Sequence, residues 1–328
     1  AAISDHYRDI FARCLLCGAC SVTCPSGVDL TKVFTHMRRE IAENKGISPS
    51  MKPAVDSLMI HHNISREDNE ERGDWREDIK DLPDHRHEKP KAKVVYFVGC
   101  VASFFPMAQT IPQNMVRILS AANVDFTILA GEEWCCGFPL IGAGAVESID
   151  KFVRHNILKV RSLEAKKIVF SCPSCYRMWR EHYPNDVKLF HSTQFIEQLI
   201  DENALSFSEF PGSVTYHDPC DLGRNGGEYD APRKILNAIP GLEMVEMENI
   251  HAKSVCCGGG GNLEMTDPTL SDKLAQRKIA QIRKTGAETV VTACQQCVRT
   301  IKGRVRREKM DLEVMDISTV VARALSNV

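Results

Sequence analysis

Laid on one another, the two halves of this chain superpose five cysteines. Cys100 falls on Cys220, Cys135 and Cys136 on Cys256 and Cys257, and Cys172 and Cys175 on Cys294 and Cys297, at offsets of 120, 121, 121, 122 and 122 residues. A drift of two positions marks an internal duplication far longer than a solenoid repeat, and it predicts two like domains about a pseudo-two-fold axis. Each half reads Cys-x(34–35)-Cys-Cys-Gly-x(34–35)-Cys-x-x-Cys, with Gly137 and Gly258 as the glycine. Cys14, Cys17, Cys20 and Cys24 make up the rest, so all 14 cysteines have a place in the pattern.

The sequence between these cysteines sets the fold class. Short apolar runs at 93–99, 126–130 and 167–171 alternate with helical patterns at 107–122 and 146–165. The same order returns with strand patterns at 214–218, 243–247 and 289–293 and helical ones at 231–238, 268–285 and 298–307. Alternation of this kind predicts an α/β chain with two duplicated parallel domains, 93–208 and 209–328. A helical stripe of Val33, Phe34, Met37 and Ile41 predicts a small helical module over 1–45. The intervening 46–92 is read as a charged linker. From Arg66 to Lys93, 18 of 28 residues are charged, with Pro83 and Pro90 among them, which predicts an exposed strap with His61, His62, His85 and His87 in solvent.

Overall charge narrows the function. With 43 acidic and 41 basic side chains the formal charge is −2, which argues against a nucleic-acid-binding protein that relies on a basic surface. No run of eighteen apolar residues and no secretory leader pattern occur, so a cytoplasmic protein is expected, and Ala1 suggests a processed or trimmed start. Thiols in the cytoplasm are usually reduced, which turns fourteen of them towards metal or redox work.

Ligands gather outside the carboxyl ends of strands in open parallel sheets, where Cys100 and both Cys-x-x-Cys pairs stand. Helices beginning after each pair favour thiolate through their N-terminal dipoles. Gly137, Gly258 and Gly259 would let the backbone pass close to a bulky inorganic group. Structural zinc from the two Cys-x-x-Cys pairs fits poorly, because 118 residues separate them and the adjacent cysteines go unused. A thioredoxin-like disulfide uses two positions and leaves the other three of each domain unexplained. Five soft thiolates per site exceed zinc's four and favour iron–sulfur chemistry. The glycine run 258–261 lacks the Lys-Ser/Thr of a phosphate loop, and neither a Ser-His-Asp arrangement nor a carboxylate pair stands out. Trp134 reads as packing beside the site.

The segments Gly99-Cys100, Glu133-Trp134-Cys135-Cys136-Gly137, Ser171-Cys172-Pro173-Ser174-Cys175, His217-Asp218-Pro219-Cys220, Cys256-Cys257-Gly258-Gly259-Gly260-Gly261 and Thr292-Ala293-Cys294-Gln295-Gln296-Cys297 resemble the doubled cysteine-rich (CCG) domain of heterodisulfide reductase B and D subunits. The resemblance covers about 93–328 and extends to subunits of lactate, glycolate and glycerol-3-phosphate oxidation. It implies a noncubane [4Fe-4S] cluster on Cys100, Cys135, Cys136, Cys172 and Cys175, and a second on Cys220, Cys256, Cys257, Cys294 and Cys297. Disulfide cleavage is implied at such a centre. The second set is the candidate catalytic one, with His217 as a candidate proton donor. The implied partners are a flavin-containing or other electron-donor subunit and a membrane cytochrome b subunit or quinone, with any membrane association through a partner. The second enzymatic reading is an electron-transfer subunit of a hydroxy-acid, glycerol-3-phosphate or acyl-CoA dehydrogenase complex, passing electrons towards quinone. A zinc-stabilised interaction module is the non-enzymatic alternative.

Cys14-x2-Cys17-x2-Cys20-x3-Cys24-Pro25 is a bacterial-ferredoxin run that predicts a cubane [4Fe-4S] cluster. In two-cluster ferredoxins the fourth cysteine serves the other cluster, and only one run is present here. Three alternatives stay open: a mate upstream of Ala1, ligands from another subunit, or a single cluster closed by Cys24.

Overall fold

The computed structural model describes residues 4–82, 87–184 and 186–326. Its N-terminal part is helical: α1 (Asp5–Ala12), α2 (Ala19–Val22) and α3 (Leu30–Lys45). Ser4 caps α1 by accepting from Tyr7 N, and Asp29 caps α3 by accepting from Lys32 N. The buried Arg38 of α3 fastens this module to the remainder. Its guanidinium donates to Phe11 O, Ala12 O, Cys14 O, Gly142 O and Gly261 O.

After α4 (Lys52–His61) come β1 (Val94–Phe97), α5 (Cys100–Phe104), α6 (Thr110–Ala121), β2 (Phe126–Ile128), α7 (Phe138–Ala143), α8 (Ile149–Ser162), β3 (Lys167–Phe170), α9 (Pro173–His182), β4 (Lys188–His191) and α10 (Ser192–Asp201). The second half has β5 (Gly212–His217), α11 (Asp230–Ala238), β6 (Leu242–Met244), α12 (Leu263–Thr266), α13 (Pro268–Arg283), β7 (Thr289–Thr292), α14 (Gln295–Arg307), β8 (Glu313–Asp316) and α15 (Ile317–Ala324). Both sheets are parallel, in the order β2-β1-β3-β4 and β6-β5-β7-β8. Val94 pairs with Phe126 and Lys167, and Val214 pairs with Met244 and Thr289. The expected duplicated α/β fold is the observed one.

Parallel strands carry helices on both faces, so they are apolar on both sides. Alternate residues of β1 divide accordingly. Val94 and Tyr96 join Val214, Tyr216, α6 and α15 in a core shared by the two domains, while Val95 and Phe97 face a core of the first domain that includes Cys100, Cys135, Cys136 and Cys175. Cys256, Cys257, Cys294 and Cys297 occupy the matching core of the second domain.

Two expectations need correction. Each sheet has a fourth strand, β4 or β8, where the sequence pattern shows three; both are short edge strands of mixed polarity. The charged segment is also not a solvated strap throughout. A 3-10 helix spans Asn69–Asp78, and from it Arg72 and Trp75 are 1% and 2% exposed, with Ile79 buried beside them. Trp75 and Ile79 fill the shared core, and Arg72 has a buried carboxylate partner. Pro83 and His85 lie outside the described residues.

Candidate metal centres

Every first-repeat cysteine lies beyond the carboxyl end of a β-strand. Cys100 opens α5 behind β1, Cys135 and Cys136 follow β2, and Cys172 caps α9, whose first turn carries Cys175. The pairs thus straddle the helix starts, since α9 and α14 begin between the two cysteines and not after them. Cys172 and Cys294 have extended backbone, while Cys175 and Cys297 sit in the first helical turn near its amide dipoles.

The thiols touch in series: Cys100 with Cys135, Cys135 with Cys136, Cys136 with Cys175, and Cys175 with Cys172. None forms a disulfide. Contacts from Cys135 and then Cys175 pull the Cys136 pKa down to about 6, whereas contacts with Cys136 and Cys172, together with burial, hold Cys175 well above the ordinary thiol range. A dry pocket of adjacent thiols cannot carry several negative charges without a compensating cation.

The second set has the same layout. Cys256 touches Cys220 and Cys257, Cys257 touches Cys297, and Cys297 touches Cys294. His217, at the end of β5, joins this set: ligand atoms of His217, Cys257 and Cys297 lie within 4.8 Å of one another, all buried. Apart from its contact with Cys257, neither ring nitrogen of His217 has a hydrogen-bond partner among the described residues. Burial and then the charge of Lys278 lower its pKa, against the pull of Cys257. Asp218 is fixed by a bidentate Arg233, at 2.8 and 3.0 Å, and accepts from His251 N. An all-thiol donor set, reduced and buried except for the half-buried Cys220, with an imidazole at its edge whose one contact is Cys257, fits a soft multi-iron group.

The two sets face each other across the domain boundary. Gln295, between Cys294 and Cys297, donates to Val98 O at 2.6 Å and Ser171 Oγ at 2.9 Å and accepts from Ala102 N at 3.0 Å. Asp221 accepts from Ser174 Oγ at 2.6 Å. Cys172 is near enough to Cys294 for its charge to raise the Cys294 pKa.

The N-terminal cysteines adjoin the second set. Cys17 touches Cys256, a contact that, ahead of other causes, takes the Cys17 pKa to about 6. Arg224 Nε donates to Cys17 O and Asn225 Nδ2 to Leu16 O. Burial, with smaller contributions from the charges of Cys17 and Cys20, raises the Cys14 pKa; Cys20 is exposed, and Cys24 is half-buried. The end of the glycine run, Gly260 and Gly261, lies against this module, while Gly258 and Gly259 pack on α13 and α14. A Cβ on Gly261 would come within 2.4 Å of Leu15 O, one on Gly259 within 2.1 Å of Thr300 Oγ1, and one on Gly258, at φ +96°, within 2.6 Å of Ser271 O. Gly137 takes a φ of +93° beside Met178 and Ile149.

Several neighbours of the sites escape sequence reading. Arg72, Glu133, Lys278 and Gln295 all reach them, although Glu133 and Gln295 stand inside the motifs themselves. His62 is not simply solvated. Its ring stacks on Trp134 at 3.5 Å, His155 stacks on the other face at 3.7 Å, and burial takes the His62 pKa to about 4.

Comparison with known proteins places this geometry. The cysteine-rich CCG domain model matches residues 94–180 and again 214–302. The chain is 31% identical to the D subunit of the dihydromethanophenazine:CoB–CoM heterodisulfide reductase of Methanosarcina acetivorans, over 98% of this chain and 79% of that protein. It belongs to the doubled CCG family of the heterodisulfide reductase D subunits. It is also similar, at 28% identity, to the B subunit of the fumarate reductase (CoM/CoB) of Methanothermobacter marburgensis, over 96% of this chain and 61% of that one, and to the EtfAB:quinone oxidoreductase of Syntrophomonas wolfei, over 95% and 46%. The family is one of iron–sulfur oxidoreductase subunits, and each matched stretch of this chain holds five cysteines. Among the described residues no helix is long and apolar enough to cross a membrane.

Proposed function

We propose that the chain is the iron–sulfur subunit of a disulfide-reducing complex, in which electrons enter at the N-terminal cysteines and arrive at the two five-cysteine sets. The observation that carries this reading is their contiguity: Cys17 touches Cys256, and Cys172 lies within electrostatic reach of Cys294. Cys14, Cys17 and Cys20 would hold a cubane [4Fe-4S] cluster, with Cys24 as a further ligand to it or to a neighbouring one. Each five-cysteine set would hold a noncubane [4Fe-4S] cluster. Bound there, such clusters supply one-electron steps and iron with affinity for sulfur. The chain's own side chains ligate, exclude water and manage protons. Reduction of a disulfide consumes two electrons and two protons and yields two thiols. His217, buried with both nitrogens free of other hydrogen bonds beside Cys257 and Cys297, is placed to hold one of those protons. In this reading the catalytic set is Cys220, Cys256, Cys257, Cys294 and Cys297.

The electron donor is a flavin-containing or other redox subunit, and a cytoplasmic protein of this kind reaches a membrane cytochrome b subunit or quinone through its partners. Similarity to the EtfAB:quinone oxidoreductase favours one second reading, a relay towards quinone from a dehydrogenase complex. The test supplies the reconstituted chain with a reduced viologen dye and a panel of small disulfides and measures thiol release. Release by the native chain and its loss in Cys257→Ser support reduction at the second set. Reduction of a quinone analogue with every disulfide left intact would establish the relay instead.

A further inference from the structure

The two five-cysteine sets are alike in ligands and unlike in what surrounds them. In the first, the guanidinium of Arg72 is 1% exposed. Its Nη1 donates to Glu133 Oε1 at 2.8 Å, its Nε to Asn69 Oδ1 at 3.3 Å, and its Nη2 to Cys100 Sγ at 3.3 Å. The Phe104 ring lies 5.3 Å from the guanidinium carbon. Glu133 is itself saturated, with Oε2 accepting from Val98 N at 2.7 Å and Oε1 from Gly99 N at 2.8 Å.

A structural Arg–carboxylate pair normally closes as a two-pronged fork, and a buried pair contributes little net stability. Here the second prong is turned away from the carboxylate and aimed at a ligand sulfur. The second repeat lacks this arrangement. Position for position, Ser254 replaces Glu133 and His217 replaces Phe97. Its buried cation, Lys278, donates to Met247 Sδ and Gln281 Oε1, not to a cysteine.

From this asymmetry the structure assigns Arg72 a tuning role: it is a positioning residue that raises the reduction potential of the first-repeat centre. The assignment rests on the iron–sulfur reading above. Hydrogen bonds and positive charge at ligand sulfurs favour the reduced cluster, and arginine keeps its charge at every physiological pH. The first-repeat centre then has a fixed cation donating to one of its own ligand sulfurs, a hydrogen bond with no counterpart at Lys278.

Potentiometric titration of the reconstituted full chain, followed by electron paramagnetic resonance and accompanied by iron analysis, tests this. Arg72→Met should lower one midpoint by about 59 mV or more, a tenfold change in the one-electron equilibrium constant, and leave the others in place. Arg72→Lys should restore part of the shift. Glu133→Gln, which removes the negative charge and keeps an acceptor oxygen, should move the same midpoint upwards. Opposite signs for Arg72→Met and Glu133→Gln separate tuning from damage to the site. If Arg72→Met loses iron from the first set, Arg72→Lys and Glu133→Gln still decide by their signs. Unchanged midpoints, or shifts of equal sign in all variants, would overturn the assignment while leaving the iron–sulfur reading intact. A native chain that takes up no iron would overturn that reading itself.

Discussion

Replacing Arg38 with methionine keeps the reach of the side chain and removes every donor of its guanidinium. Those donors serve five carbonyls: Phe11, Ala12 and Cys14 in the N-terminal module, Gly142 in the first CCG domain and Gly261 in the second. The side chain is buried, and although burial takes its pKa down to about 10, it stays charged near neutrality. A hydrogen bond to a charged group is worth about 1.5–3 kcal/mol, and each carbonyl left dry costs about 1–3 kcal/mol. These contributions are not additive, because neighbours relax and water enters. A loss of about 3–5 kcal/mol in docking of the module is the expected outcome, built from two or three effective bonds. At about 1.4 kcal/mol per decade, 3 kcal/mol corresponds to roughly a hundredfold rise in the open population. Hydrogen exchange read by mass spectrometry should then show loss of protection in peptides covering α1 and 13–24, with β1, β5 and β7 unchanged. Arg38→Lys should recover little, since one ammonium cannot span five carbonyls. Protection of α1 in Arg38→Met equal to that of the native chain would refute the claim that this side chain holds the module against both domains.

Other substitutions probe other parts of the account. Trp75→Ala opens a cavity in the core shared by the domains and should cost about 3–5 kcal/mol in thermal or denaturant unfolding, a loss that a solvated strap could not produce. Gly258→Ala must accept a Cβ 2.6 Å from Ser271 O at φ +96°, so reconstituted protein should lose iron from the second set and keep it in the first. Burial raises the Asp316 carboxyl to about 6, above the value of about 3.9 in an unfolded chain. The native state then binds the extra proton, so Asp316 lowers stability progressively as pH rises from about 4 to 6, by about 3 kcal/mol in full. Asp316→Asn keeps an oxygen for Ser318 N, and unfolding at pH 7 should show it more stable than the native chain with a flatter pH profile between 4 and 6.

Legibility in the sequence follows the strength of the local signal. The central strands β1, β3, β5 and β7 are read from continuous apolar runs because helices cover both their faces. The edge strands β4 and β8, Lys-Leu-Phe-His and Glu-Val-Met-Asp, carry no such run and take their form from the neighbour they pair with. Ten of the fourteen cysteines are legible because duplication makes their spacing self-checking, and the other four because they follow the ferredoxin spacing. Arg72 is not, since eighteen charged residues in the segment 66–93 look alike until a fold selects the one that goes inside. Trp75, the only aromatic ring of that segment other than its histidines, is the signal that could have marked it. Glu133 and Gln295 show the same limit inside the motifs. Their partners, Arg72 for one and Val98 and Ser171 for the other, lie 61, 197 and 124 residues away, beyond any local pattern.

The central claim is that each five-cysteine set is an independent iron–sulfur centre. Iron, acid-labile sulfide and zinc should be counted per chain in the reconstituted native protein, in Cys136→Ser and in Cys257→Ser. The account predicts that each substitution removes about four irons and leaves the other centres filled. Zinc in place of iron, or loss of all iron from either single substitution, would contradict it.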